Sequence, residues 1–107
     1  MFARALELTL KVEKKQELIR KAKADILPIL HKQQGFADIL ALENEIELTK
    51  VLVITLWHTK LDAERYARDM FPKIKEMFEP FLMVPPGVKV YTVEETISRK
   101  LIETVAA

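Results

Sequence analysis

Leu48-Thr49-Lys50-Val51-Leu52-Val53-Ile54-Thr55-Leu56-Trp57 is the stretch that decides how this chain folds. Read as an extended strand, it places Leu48, Leu52, Ile54 and Leu56 on one face. Val51, Val53, Thr55 and Trp57 fall on the other. Both faces are apolar, which predicts a central strand covered on both sides.

Downstream of Trp57 the apolar period changes from two to three and four. Thr59 stands as an N-cap with Asp62 three positions on, close to a capping box. Ala63, Tyr66, Met70, Ile74 and Phe78 then mark one helical stripe, which Pro72 should bend and Pro80 should end. A Pro-rich turn from Phe81 to Gly87 leads to a further strand. There Val88, Val90 and Thr92 alternate with Lys89, Tyr91 and Val93.

Upstream, Phe36 to Glu43 reads as a strand with a less regular pattern, joined to the central one through the polar Asn44, Glu45 and Glu47. Before it, Leu18, Ile19, Ala22, Ile26, Ile29 and Leu30 share a helical stripe with lysines opposite. Pro28 should kink or end that helix near Leu27, and Gly35 should stop it. Closest to the N-terminus, Leu6, Leu8, Leu10 and Val12 alternate with Ala5, Glu7, Thr9 and Lys11, a strand with one buried face. The predicted order is β-α-β-β-α-β. That is an α+β, ferredoxin-like domain with an antiparallel sheet and both helices on one face. Its core is expected over about 4–97, with 98–107 as a C-terminal helix or exchanged arm. The other sheet face would be bare and apolar, so a homodimer packed sheet on sheet is expected.

Composition narrows the function classes. The chain has 107 residues, which suits one domain. Seventeen Lys and Arg balance sixteen Asp and Glu, so there is no electrostatic case for nucleic acid. The basic stretch from Lys11 to Lys23 is interleaved with acids and reads as a solvated helix face. Cysteine is absent, which removes disulfides and thiolate chemistry and fits a reducing compartment. No apolar run is long enough for a membrane span, and the N-terminus lacks a signal core, so a cytoplasmic location is expected. Gly35 and Gly87 are the only glycines, too few for a phosphate-cradling loop; no nucleotide cofactor is expected. Two histidines without ligand spacing predict no metal site.

Val51-Leu-Val-Ile-Thr-Leu-Trp57, Ala63-Glu-Arg-Tyr66 and Phe71-Pro-Lys-Ile74 together resemble the antibiotic biosynthesis monooxygenase domain of the dimeric α/β-barrel superfamily. The Gly35-Phe36 step and the order of elements extend the resemblance over about residues 4–97. It implies a dimer with a pocket between sheet and helices in each subunit. Some members of that family oxidise quinols or anthrones with molecular oxygen without metal or flavin, related members degrade heme or isomerise small metabolites, and many have no known activity. Relatives that degrade heme carry a His late in the second helix. Lys73-Ile-Lys-Glu-Met-Phe78 has none, and strand one lacks the Asn that quinol- and heme-oxidising members carry.

Five residues are the candidates for chemistry. Trp57 and Tyr66 would wall and hydrogen-bond a flat aromatic ligand, and Tyr91 would join them. His58 and His31 would accept protons near neutral pH. Each also has a plain structural role: core filling for Trp57 and Tyr66, a strand-end His58, a helix-end His31. In a regular strand, Trp57 and His58 point to opposite faces and do not line one cavity. Glu7 would serve as a base only if its face of strand one is enclosed. The expected activity is a cofactor-independent monooxygenase on a small quinol or anthrone-like substrate. The alternatives are a non-catalytic dimer that binds a small apolar ligand or acts as a scaffold, and an isomerase or lyase that needs only acid-base groups.

Overall fold

The computed structural model describes residues 1–94, so the expected C-terminal arm at 98–107 lies outside the described residues. The elements are β1 (Phe2–Thr9), α1 (Lys15–Lys21), α2 (Leu27–His31), β2 (Phe36–Glu43), β3 (Lys50–Trp57), α3 (Lys60–Asp69), α4 (Phe71–Phe78) and β4 (Gly87–Thr92). The four strands pair in the order β2-β3-β1-β4, every pair antiparallel. Both helical units cover the same face, giving the ferredoxin-like α+β architecture.

β3 is central, as its two apolar faces require, but among the described residues only one face is covered by helices. Val51, Val53 and Thr55 look at the helices, and Trp57 is fully enclosed. Leu52, Ile54 and Leu56 lie on the opposite face. There Leu40 and Tyr91 are each 52% exposed. The strand starts at Lys50, so Leu48 does not join it and is exposed. The cause is a local turn. The Asn44 carboxamide oxygen accepts from the Ile46 and Glu47 amides at 2.9 and 2.7 Å, which folds the loop before pairing resumes.

β2 reads irregularly because it carries a register shift between Phe36 and Asp38. The extra residue moves the buried face from even to odd numbers. Phe36 therefore meets Trp57, while Ile39 and Ala41 face the same side two and four strand positions later. In β1 the alternation ends earlier than expected. Leu10 is buried and bridges to Leu82, but Val12 is exposed in a 3-10 turn.

Pro28 does not end the first helix. Its nitrogen cannot donate, and its ring would strike the Ala24 carbonyl in a regular α-turn. The backbone widens into a π turn over Ala22–Ile26, in which the Leu27 amide donates to the Ala22 carbonyl, five residues back. The helix continues to His31, keeping Leu18, Ile26 and Leu30 buried on one side. In the second helical unit the chain breaks at Met70 (φ −121°), and Pro72 sits in the first turn of α4, where a missing amide costs nothing.

The start of α3 is fixed from two directions. The Thr59 hydroxyl accepts from the Asp62 amide at 3.1 Å and donates to the Asp62 carboxylate at 2.8 Å. Gly35, at φ +80°, packs so close that any side chain there would run into the Asp62 carboxylate. Its carbonyl accepts from the His58 amide at 2.8 Å, tying the turn before β2 to the end of β3.

Candidate active site

Medium-sized aliphatic residues leave a hollow between sheet and helices. Leu6, Leu8, Val51 and Val53 form its floor, and Leu18, Ile26 and Leu30 roof it from one side. Ile74 and Phe78 close the other side. The cavity measures about 330 Å³, within the range of small-molecule sites. A Lys15–Glu43 ion pair of 3.1 Å stands at its rim, between the start of α1 and the end of β2.

The larger rings gather at the other end. Phe36, Trp57, Tyr66, Phe71 and Phe78 form a continuous series of ring contacts, with centroid separations from 4.6 to 6.2 Å. Trp57 stacks on Tyr66 at 4.6 Å, and its indole N–H donates to the Thr55 hydroxyl at 3.0 Å. Trp57 is therefore satisfied and sealed behind Tyr66. Of these two, Tyr66 is the ring in the cavity wall, together with Phe71 and Phe78. Burial pushes its phenol up to about 12, opposed by the charge of Arg4, so at neutral pH it is a protonated donor. Among the described residues its hydroxyl has no hydrogen-bond partner.

Arg4 extends from β1 on the same face. Its guanidinium lies 4.9 Å from the Phe71 ring centroid and 5.6 Å from that of Tyr66, within cation–π range. Burial lowers its pKa, and the charge of Tyr66 acts in the opposite sense. A guanidinium stays charged at neutral pH all the same. A small cleft of about 30 Å³ joins Arg4, Tyr66 and Thr55 and shares five wall residues with the large cavity, among them Val53 and Phe71.

The structure brings together Trp57 and Tyr66 of the five candidates and sets the others apart. His31 is exposed, edge-on to Phe36 at 5.5 Å. His58 is exposed beyond the end of β3, and neither histidine is part of the cavity wall. Tyr91 sits on the open face of the sheet. Glu7 is on that face too, exposed in the single subunit and paired with Lys89 at 3.1 Å. Arg4 was missed, although a signal exists. Extending the β1 alternation back to Phe2 puts Arg4 on the apolar stripe with Leu6 and Leu8, where a cation is out of place. Among the described residues no three His, Asp or Glu side chains are placed to hold a metal ion, and no helix is long and apolar enough to cross a membrane.

Comparisons with known proteins agree on the fold. No family model and no curated protein matches the sequence. Solved structures do match. A putative antibiotic biosynthesis monooxygenase from Nitrosomonas europaea superposes with a TM-score of 0.67 at 14% identity, covering 88% of this chain and 99% of that one. A Streptomyces coelicolor monooxygenase in complex with nanaomycin D gives 0.71 at 17%, covering 87% of each chain. A cofactor-independent oxygenase from Streptomyces nogalater gives 0.65 at 14%, covering 87% and 92%. The chain thus has the fold of the antibiotic biosynthesis monooxygenases, a fold also found in a Nitrosomonas europaea protein of unknown function.

Proposed function

We propose that the protein binds a small, flat aromatic molecule between sheet and helices, and oxidises it with molecular oxygen without metal or flavin. The observation that carries this is the cavity of about 330 Å³, apolar on nearly every side, with Tyr66 in its wall. Aliphatic walls exclude water and favour ring systems, and a phenol donor such as Tyr66 orients a phenolic or carbonyl oxygen. The similar structures named as oxygenases, one of them holding nanaomycin D, support the same substrate class. For an anthrone the balance is simple. The ring methylene loses two hydrogens, one oxygen atom becomes the new carbonyl, and the other leaves as water. We further propose a homodimer through the open sheet face, on the exposure of Leu40, Leu42 and Tyr91.

A thermal-shift panel of anthrones, naphthoquinols, flavins and heme tests the binding. A ligand at a hundred times its dissociation constant adds about 2.7 kcal/mol of stability. The expected result is a shift with anthrones or quinols, followed by oxygen uptake without added metal or flavin. A shift with heme or flavin alone, or uptake that depends on either, would overturn the reading.

A second reading rests on a specific observation: among the described residues the cavity wall contains neither histidine. A non-catalytic carrier or scaffold needs a pocket but no proton acceptor. Tight binding of a quinol with no oxygen consumption would favour it.

A further inference from the structure

The buried positions on the helix-facing side of β1 are apolar: Phe2, Leu8 and, just past the strand, Leu10; Arg4 among them is half-buried. Arg4 interrupts that stripe. Desolvating a guanidinium is costly, and such groups are normally found with a carboxylate. Here the neighbours are Thr55 on β3, Val88 and Val90 on β4, Tyr66 on α3 and Phe71 on α4. None carries a negative charge at neutral pH, and Tyr66 is the one titratable group among them. Glu7 and its partner Lys89 lie on the opposite face of the sheet. Among the described residues Arg4 has no ion pair and no side-chain hydrogen bond; its contacts are the two ring faces.

A cation held this way, beside an unpartnered phenol donor and a cleft sized for about one oxygen atom or water, is arranged to meet an anion. Thr55 can contribute as well, because its oxygen accepts from Trp57 and its own proton is left to donate. The aliphatic cavity next door would hold the rest of the molecule.

We propose that Arg4, with Tyr66, is an oxyanion-binding pair that makes the cavity select the ionised form of an aromatic phenol or enol. This rests on the cavity being the ligand site and adds the charge state of what it holds. The ligand's O–H bond breaks, its proton goes to water, and the electron pair stays on the oxygen facing the guanidinium. No histidine is required, which accounts for a cavity wall without one. For an oxygenase this is the useful state, since the electron-rich anion is the form that reacts with oxygen. Arg4 therefore sets the ionisation of the substrate and Tyr66 fixes its oxygen.

The test uses 4-nitro-1-naphthol, whose phenol and phenolate absorb at different wavelengths, with 1-nitronaphthalene as the neutral control. Titrated into the wild-type protein across pH, the bound naphthol is expected to show the phenolate spectrum, its pKa lowered by about 1–3. Arg4→Met, which keeps an apolar stem, should weaken naphtholate binding about 10- to 100-fold and leave nitronaphthalene binding unchanged. Arg4→Lys should retain part of the preference, and Tyr66→Phe should lose part of it. Equal binding of both probes by wild type and Arg4→Met, or a bound naphthol that stays neutral, overturns the assignment and leaves the cavity standing. If neither probe binds, the assignment and the cavity reading fall together.

Discussion

The two faces of this sheet are built from similar residues and come to different ends. On one, Val51, Val53, Leu6 and Leu8 meet two helical units and bury a core around a cavity. On the other, Leu52, Ile54 and Leu56 have the same hydrophobicity and, among the described residues, no helix over them. Their charged residues differ in the same sense. Arg4, on the covered face, is half enclosed by rings and has no carboxylate partner among the described residues. Glu7 and Lys89, on the open face, pair with each other in solvent. Hydrophobicity therefore does not distinguish the faces; what lies over them does. Within one subunit, and among the described residues, chemistry that depends on a low dielectric is available on only one side.

Removing cover from the inside should have the largest effect. Trp57→Ala empties a fully enclosed site and unstacks Tyr66, and a loss of about 3–5 kcal/mol is expected from urea unfolding. A loss under about 1 kcal/mol would mean the ring end of the core is loosely packed. Ile54→Asp tests the outside. It should leave the fold of each subunit intact by circular dichroism and convert a dimer to monomers by light scattering. A variant that stays dimeric would show that the open face is not the contact.

The titration of Tyr66 sharpens the contrast in enclosure. Its folded pKa of about 12 lies above the ordinary 10.0, so the folded chain holds its proton where the unfolded chain gives it up. The stability this contributes is complete below about pH 10 and is lost as pH rises towards 12. That amounts to about 2–3 kcal/mol. Tyr66→Phe should flatten this part of the stability profile; identical slopes for the two proteins would place the phenol in water. The smallest effect belongs to the open face. Glu7→Gln breaks an exposed ion pair and should leave the urea midpoint unmoved, and a clear shift would mean that this pair is covered in solution.

Much of the fold was legible because local rules and tertiary packing agree. The alternation of Val51 to Trp57, the Thr59–Asp62 cap and the stripe through Ala63, Tyr66, Ile74 and Phe78 each carry their own signal. The register shift after Phe36 hid the face of β2, since one inserted residue inverts a period of two. Pro28 was legible as a disturbance, but whether a helix ends or widens there depends on what the next turn can bury. Leu27–His31 has Leu30 to bury, so it continues.

The site was less legible. Residue type alone does not mark a site here, since His31 and His58 stand exposed at element ends. Tyr66 was found because it lies on a helical stripe; Arg4 was passed over because one arginine in a strand carries no pattern of its own.

By itself, the sequence determined the order of elements, the central place of β3, the capped start of α3 and the excess of apolar strand surface. Each is written in neighbours a few residues apart, where backbone geometry dictates the period. Only the tertiary structure decided which strand face the helices take, that aliphatic residues leave a hollow there, and that Arg4 comes to lie over Tyr66 and Phe71. Residues 4, 66 and 71 meet through strand pairing and helix docking, and burial, which gives a buried charge or phenol its chemistry, belongs to the assembled fold.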